Sequence, residues 1–198
     1  MTITVLFGGS DFSERTQALL CAFLEGVPDA RIHFFSAFDL AAEPCMGCRL
    51  CDTMQYESFP CIYHDLDGLW NAISRSDLFV IATPVYFRSF PAPLKAIIDR
   101  VQGFYKNRDA LPAAGRSGPR PTVLLACAGS PGENGEILRA QLRWALPSLG
   151  CALSHVIIAN NTDKCRWIGA EVRDKARNLA QTFEILSRFN HIPLINPE

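Results

Sequence analysis

Five apolar segments of strand length alternate along the chain with segments in which apolar residues recur at helical spacing. The predicted strands span residues 2–7, 31–38, 77–83, 122–127 and 152–159. When a helix connects two strands of one sheet, the second strand runs parallel to the first. The alternation therefore predicts a parallel sheet with helices on both faces, which is the doubly wound α/β class.

Composition and charge narrow the classes of protein that fit this pattern. The 198 residues are 48% hydrophobic, and 19 basic residues against 20 acidic ones leave a formal charge of −1. A near-neutral balance argues against a nucleic-acid partner or a polybasic membrane surface. The apolar runs fall short of the roughly 20 residues that span a bilayer, and MTITVLF has no basic n-region. We expect one cytoplasmic domain over residues 1–198, without a membrane partner.

Ligands of such sheets bind beyond the carboxyl ends of the strands, where the strand order reverses. The loop after the first strand, GGSDFSERT at residues 8–16, is neither a dinucleotide fingerprint nor a phosphate-binding Walker sequence. It does combine glycines, hydroxyls and Arg15 just before a helix, which is a favourable cradle for a phosphate. The alternative is that Ser13 only caps that helix.

Two further loops lie at the same predicted edge of the sheet. After the third strand, Pro84 sets a turn, and Tyr86 and Phe87 offer aromatic faces that suit a flat heterocycle. The alternative for this loop is that both aromatic rings pack in the core. The small-residue loop AGSPGENG at residues 128–135 suits the edge of a ring or an ordinary turn equally well.

Four of the eight cysteines lie together in a loop without periodicity at about residues 40–61. Clustered thiols favour metal, cluster or redox chemistry over a disulfide framework when no secretion signal is present. Four thiolates can ligate a [4Fe–4S] cluster, and a zinc site is also chemically possible. A redox-active thiol or a packed loop is our prediction, with no metal ligand assigned. The four residues are Cys45, Cys48, Cys51 and Cys61.

Three of the other cysteines, Cys21, Cys127 and Cys151, lie in otherwise apolar or small-residue stretches. A thiol in such surroundings behaves as a small hydrophobic side chain. We therefore predict that all three are buried.

The stretch SDLFVIATPVYFRSFPAPLKAIIDR at residues 76–100 resembles the NADPH-dependent FMN reductase branch of the flavodoxin-like superfamily, which includes iron–sulfur flavoproteins. It is similar to that family's strand, its PVYF flavin loop and its helix ending LK-x-x-I-D-R. The first loop resembles the family's phosphate loop, with Arg15 where Asn is common. The segment CMGCRLC at residues 45–51 resembles the family's C-x-G-C-x-x-C loop.

The resemblance implies a three-layer, five-stranded parallel sheet in the order 2-1-3-4-5 and one FMN per subunit. It further implies that the first loop holds the phosphate, that the second lies against the isoalloxazine ring, and that the third lies at another edge of that ring. The implied cofactor-binding residues are Ser10, Ser13, Arg15, Thr16, Pro84, Val85, Tyr86, Phe87, Gly129 and Ser130.

The chemistry implied by the resemblance belongs mostly to the cofactor. NADH or NADPH would bind transiently, pass hydride to the flavin, and leave electrons for a flavin, a quinone or another acceptor. No catalytic acid or base is required, so no catalytic side chain is assigned. Such proteins commonly form a homodimer or homotetramer. The alternative function is that of an iron–sulfur flavoprotein electron carrier, with a [4Fe–4S] cluster on Cys45, Cys48, Cys51 and Cys61.

Overall fold

A five-stranded parallel sheet forms the centre of the molecule. The computed structural model describes residues 1–53, 59–107, 118–132, 134–165 and 167–189. The strands pair in the order β2-β1-β3-β4-β5, and every pair is parallel. This confirms the predicted fold class and the implied strand order. The strands are β1 (Thr2–Phe7), β2 (Arg31–Ser36), β3 (Leu78–Val85), β4 (Arg120–Ala128) and β5 (Cys151–Ala159).

Helices cover both faces of this sheet. Helices α1 and α7 pack on one face, while α3, α4, α5 and α6 pack on the other. A short 3₁₀ turn at Leu50–Asp52 lies in the cysteine loop. No helix among the described residues is long and apolar enough to cross a membrane. The helices are α1 (Glu14–Leu24), α2 (Ala37–Leu40), α3 (Asp67–Arg75), α4 (Ala92–Arg100), α5 (Gln102–Lys106), α6 (Asn134–Ser148) and α7 (Ala170–Phe189).

Strand β3 shows why the central strands are continuously apolar. Leu78 and Val80 face the α1 and α7 layer, whereas Phe79 and Ile81 face the opposite layer. Successive side chains of a strand point to opposite faces, so a strand that is covered on both sides buries every residue. Seven of its eight residues are buried.

Strands β2 to β5 differ from the sequence-based expectation by one or two residues at one or both ends, and β1 matches it. Strand β2 ends at Ser36, whose Oγ accepts a hydrogen bond of 3.2 Å from the Asp39 N–H and caps α2, so the predicted extension to Phe38 is wrong. Strand β3 runs through Pro84 to Val85. Strand β1 ends opposite Ala82, so Pro84 has a strand neighbour on one side only, and sheets tolerate proline there.

The burial of the scattered cysteines is confirmed at two positions and wrong at the third. Cys127 and Cys151 are buried on the sheet, but Cys21 is exposed on α1. The apolar stripe of α1 includes Leu19, Leu20 and Phe23, and Cys21 lies outside it. An apolar stretch in a helix therefore does not fix the burial of each member, because only one stripe faces the core.

Candidate cofactor site

The carboxyl ends of β1 and β3 meet at the middle of the sheet. The Gly8 N–H donates a hydrogen bond of 2.7 Å to the Ala82 carbonyl. The chain leaves β1 toward β2 on one side, and β3 lies on the other side, so this is the point where the strand order reverses. Open α/β sheets bind their ligands at such a point.

The loop after β1 is closely packed around two glycines. A Cβ on Gly9 would lie 2.6 Å from the Cβ of Ser13 and 2.9 Å from the Phe7 ring. A Cβ on Gly8 would lie 2.9 Å from the Thr83 hydroxyl. Only glycine fits at these two positions without displacing the neighbouring side chains.

Ser10 and Ser13 close a turn at the start of α1. The Ser13 N–H donates to the Ser10 carbonyl at 2.9 Å, and the Ser10 N–H donates to Ser13 Oγ at 3.1 Å. Ser13 is the N-cap residue, but its side chain does not cap α1, so the alternative of a simple helix cap is wrong. The N–H groups in the first turn of α1 therefore have no capping side chain. This arrangement favours the binding of an anion at this loop.

Arg15 and Thr16 lie in the first turn of α1 and contact other parts of the fold. Arg15 Nε donates a hydrogen bond of 2.9 Å to the Cys165 carbonyl after β5. Thr16 is buried and hydrogen-bonds to the Cys127 thiol. Burial raises the pKa of Cys127 to about 11, although the Thr16 hydrogen bond and the Arg15 charge lower it in part.

Strand β3 leads into a four-residue turn that presents two aromatic rings. Tyr86 and Ser89 exchange backbone hydrogen bonds of 3.0 and 2.9 Å across the turn. The φ angles of Phe87 and Arg88 are 49° and 61°, both positive as type I′ turns require. Phe87 is fully exposed and Tyr86 is half exposed, so the alternative that both rings pack in the core is wrong.

The other predicted residues of this edge lie around the same turn. Pro84 is buried at the end of β3, and Val85 is half-buried beside it. Gly129 and Ser130 follow β4 directly, next along the sheet from β3. The three predicted loops therefore share one edge of the sheet, because all strands run in the same direction.

A fourth loop, after β5, also lies at this edge, and it is not among the loops predicted from the sequence. The Thr162 N–H donates to the Ala128 carbonyl at 3.0 Å, and the Asp163 N–H donates to the Gly129 carbonyl at 3.4 Å. The Asp163 carboxylate occupies the space where a Cβ on Gly129 would lie. The polar run NNTDK directly after a predicted strand is the sequence feature that could have identified this loop.

The four clustered cysteines line a single cavity of about 330 Å³, which we call the cysteine cavity. Residues of α4 and α5 form its other wall, including Arg100, Gln102, Gly103 and Lys106. The segment is anchored to α5, since Asn107 Nδ2 donates a hydrogen bond of 2.6 Å to the Cys51 carbonyl. The Pro60 carbonyl packs so closely on Gly103 that no Cβ would fit between them.

The thiols of the cysteine cavity influence one another. Burial raises the pKa of Cys51, and the negative charges of Asp52, Cys48 and Cys45 raise it further. Within the described residues, no group of three or more His, Cys, Asp or Glu side chains is arranged to hold a metal ion.

Comparisons with known proteins agree with this fold. The sequence profile of the family described as NADPH-dependent FMN reductase matches residues 1–153. A protein named iron-sulfur flavoprotein from Methanosarcina thermophila is 27% identical over 100 residues, which is 50% of this chain and 52% of that protein. One from Archaeoglobus fulgidus is 30% identical over 146 residues, 71% of this chain and 60% of that protein. The match thus spans less than two thirds of either relative.

Solved structures share the architecture at low sequence identity. Azoreductase AzrA aligns with a TM-score of 0.67 and 17% identity, covering 92% of this chain and 100% of that chain. An NAD(P)H:quinone oxidoreductase from Methanothermobacter marburgensis aligns with a TM-score of 0.68 and 21% identity, covering 93% of this chain and 97% of that chain. These likenesses establish the fold.

Proposed function

The chain belongs to the NADPH-dependent FMN reductase family, and from this premise we propose that it is an FMN-dependent oxidoreductase that passes electrons from NADH or NADPH to a flavin, a quinone or another acceptor. The observation that carries the proposal is the meeting of the β1 and β3 tips. An uncapped helix N-terminus lies at one tip and an exposed aromatic turn follows the other. FMN carries a phosphate and a flat ring, and these two features match that pair of loops.

Close packing around the first loop supports the fit of FMN. Gly8 and Gly9 keep side chains out of the closely packed start of this loop, so the chain can turn from β1 toward the N-terminus of α1, where we place the phosphate. We assign the phosphate to this loop, the ring to the segment after β3, and the far edge of the ring to the segment after β4. The assigned residues are Ser10, Ser13, Arg15, Thr16, Pro84, Val85, Tyr86, Phe87, Gly129 and Ser130.

Hydride chemistry would be supplied by the bound flavin. The protein's own residues bind and orient. The α1 N-terminus and the Ser10–Ser13 turn would neutralise the phosphate, and the paired backbone of Tyr86 and Ser89 would hold the aromatic turn against the ring. No side chain is assigned to proton transfer.

Reconstitution with FMN tests this function directly. We expect quenching of flavin fluorescence on binding, followed by oxidation of NADH or NADPH when free FMN or a benzoquinone is added as acceptor. Parallel titrations with the two nicotinamides decide the preferred donor. Protein that binds no FMN, or that binds it and oxidises neither nicotinamide, contradicts the proposal.

The cysteine cavity favours a second candidate function, that of an electron carrier with both FMN and a [4Fe–4S] cluster. In such a cluster each of four iron atoms takes one thiolate, so the ligands surround a volume, and Cys45, Cys48, Cys51 and Cys61 line one cavity. Iron and sulfide assays on anaerobically purified protein decide this candidate. Protein without iron after reconstitution rules it out, and zinc without sulfide would favour a zinc site.

Two further properties of the chain belong to the proposal. We propose that residues 1–198 form one flavodoxin-like domain. We also propose a cytoplasmic location, because all eight cysteines are among the described residues and none forms a disulfide there, as suits a reducing compartment. Limited proteolysis that gives one resistant core tests the first of these properties, and fractionation of the native cells tests the second.

We propose that the protein assembles as a homodimer or homotetramer through the outer face of α6. Trp144 on this helix is 72% exposed. It lies between a cavity of about 460 Å³ shared with α4 and α5 and another of about 540 Å³ shared with the start of β5. A second copy of the same face would cover this indole and fill both hollows in a symmetric interface.

A further inference from the structure

Arg100, the last residue of α4, is a buried cation beside the cysteine cavity. It is 4% exposed, and its two terminal nitrogens are fully used. Nη2 donates to Asp65 Oδ1 at 2.8 Å and to the Tyr63 carbonyl at 2.9 Å. Nη1 donates to Asp65 Oδ2 at 3.2 Å and to the Glu43 carbonyl at 2.9 Å. These bonds fix the plane of the guanidinium.

The third guanidinium nitrogen is different. Among the described residues, Arg100 Nε is buried and has no hydrogen-bond acceptor. A buried donor without a partner is costly, so such an atom calls for an explanation in a functional site. Arg100 and Cys61 both line the cysteine cavity. Nε is therefore the donor that remains for a sulfur of this cavity.

The charged residues of the cavity wall are mostly basic. Arg49 and Lys106 line it together with Arg100, and Asp52 is the carboxylate among the lining residues. Asp52 Oδ2 lies 3.3 Å from Arg49 Nε, and Oδ1 lies 3.7 Å from Lys106 Nζ. Four thiolates and a bound cluster carry net negative charge, which such a wall would stabilise.

We propose that Arg100 is a positioning residue for an iron–sulfur cluster in the cysteine cavity, donating its Nε–H to the Cys61 sulfur and raising the reduction potential of the cluster. The inference rests on the second candidate function. One-electron reduction adds one negative charge to the cavity and forms or breaks no bond. A fixed cation and a hydrogen bond to a ligand sulfur therefore stabilise the reduced state more than the oxidised state.

Helix α4 connects this residue to the proposed flavin site. Its first residue, Ala92, follows the aromatic turn after β3, and its last residue is Arg100. Nine helical residues span about 13 Å. In the proposal the reduced flavin is the electron donor. The reduction potential of the cluster, which Arg100 raises, therefore determines how favourable electron transfer from the flavin to the cluster is.

A redox titration of reconstituted protein, monitored by the electron paramagnetic resonance of the reduced cluster with dithionite as reductant, tests the proposal. In Arg100→Gln we expect the reduced-to-oxidised ratio at a fixed potential to fall about tenfold, equivalent to about 59 mV for one electron. In Asp65→Asn we expect a shift of opposite sign, because the negative charge that compensates Arg100 is removed. If Arg100 and Asp65 had only a structural role, their substitutions would not shift the reduced-to-oxidised ratio in opposite directions.

Two more variants separate charge from hydrogen bonding. Arg100→Lys keeps the charge but loses the planar Nε donor, so we expect a smaller fall in the ratio than in Arg100→Gln. Lys95→Gln is the matched control. Lys95 is also on α4, is paired with Asp99 at 2.6 Å and does not line the cysteine cavity, so its loss should leave the ratio unchanged.

The possible outcomes distinguish this inference from the functions on which it rests. Wild-type protein without iron and sulfide overturns the inference together with the second candidate function and leaves the FMN assay to decide the first. A wild-type cluster whose potential is the same in Arg100→Gln and Asp65→Asn overturns the inference alone. Shifts of the same sign in these two variants also overturn it. If Arg100→Gln does not fold, Asp65→Asn and Arg100→Lys carry the test.

Discussion

At the scale of single residues, the absence of a side chain at Gly9 keeps the first loop in place. We expect Gly9→Ala to weaken FMN binding at least tenfold and to lower the free energy of unfolding by about 1–3 kcal/mol, as overpacking does. The reason is that the new Cβ would lie 2.6 Å from Ser13 and displace the serine turn. Fluorescence titration with FMN and denaturant unfolding measure the two effects.

Gly68 provides the control for this substitution. It lies in the first turn of α3, and nothing stands within 4 Å of the position of an added Cβ. Gly68→Ala should leave FMN binding unchanged and raise the stability slightly, because alanine favours a helix. Equal losses in both variants would show that the packing at Gly9 is not special.

The thiol of Cys127 gives a prediction for the alkaline side of the pH range. Burial raises its pKa from about 9 to about 11, so between these values the folded state holds a proton that the unfolded state has lost. The free energy of unfolding should therefore fall as the pH rises from about 9 to about 11, by at most about 3 kcal/mol. Denaturant unfolding across this range measures the slope.

Substitution of the thiol should remove this dependence. We expect Cys127→Ala to show a shallower slope than the wild type above pH about 9. Cys21→Ala, which removes an exposed thiol on α1, should keep the wild-type slope. The same slope in Cys127→Ala as in wild type would mean that another group carries the dependence.

At the scale of elements, the turn after β3 combines backbone strain with exposed aromatic surface. Phe87 and Arg88 both have positive φ, where residues other than glycine and asparagine are costly by about 1–3 kcal/mol. Hairpin turns of this kind favour Asn-Gly. The sequence Phe-Arg at this position fits the proposal that the turn binds the flavin ring at the expense of stability.

The two turn residues should therefore respond differently to substitution. Arg88→Gly relieves the strain and keeps the ring of Phe87, so we expect greater stability with FMN binding close to wild type. Phe87→Asn also relieves the strain but removes the ring, so we expect a raised Tm together with weaker FMN binding. Thermal unfolding and FMN titration separate these outcomes, and unchanged FMN binding in Phe87→Asn would remove the ring from the proposed site.

At the scale of the whole molecule, the proposed assembly face joins α6 with α4, α5 and the start of β5. We expect Trp144→Glu to convert the assembly to monomers, because it replaces the indole that the second copy would bury with a charged side chain. Sedimentation velocity measures the change. Trp167→Glu is the matched control, since Trp167 is 70% exposed in the loop after β5 and should not affect the assembly. A monomeric wild-type protein contradicts the proposal.

Local sequence patterns were sufficient to predict the layers of the fold and the edge of the sheet at which we propose the site. Strand and helix patterns are local, and parallel connections then leave few arrangements, so the five strands and the three loops at one edge followed from periodicity alone. The exposure of Tyr86 and Phe87 did not follow, because the pattern fits a packed ring as well as a presented one.

The contacts between residues distant in the sequence became known from the folded chain and not from its sequence. Arg15 reaches Cys165 across 150 positions, and Arg100 reaches the Glu43 carbonyl across 57. The loop after β5 and the enclosure of the four cysteines by α4 and α5 depend on contacts of this kind. Such contacts leave no periodic pattern in the sequence, because they arise only when the chain closes around its core and each buried polar group must find its partner.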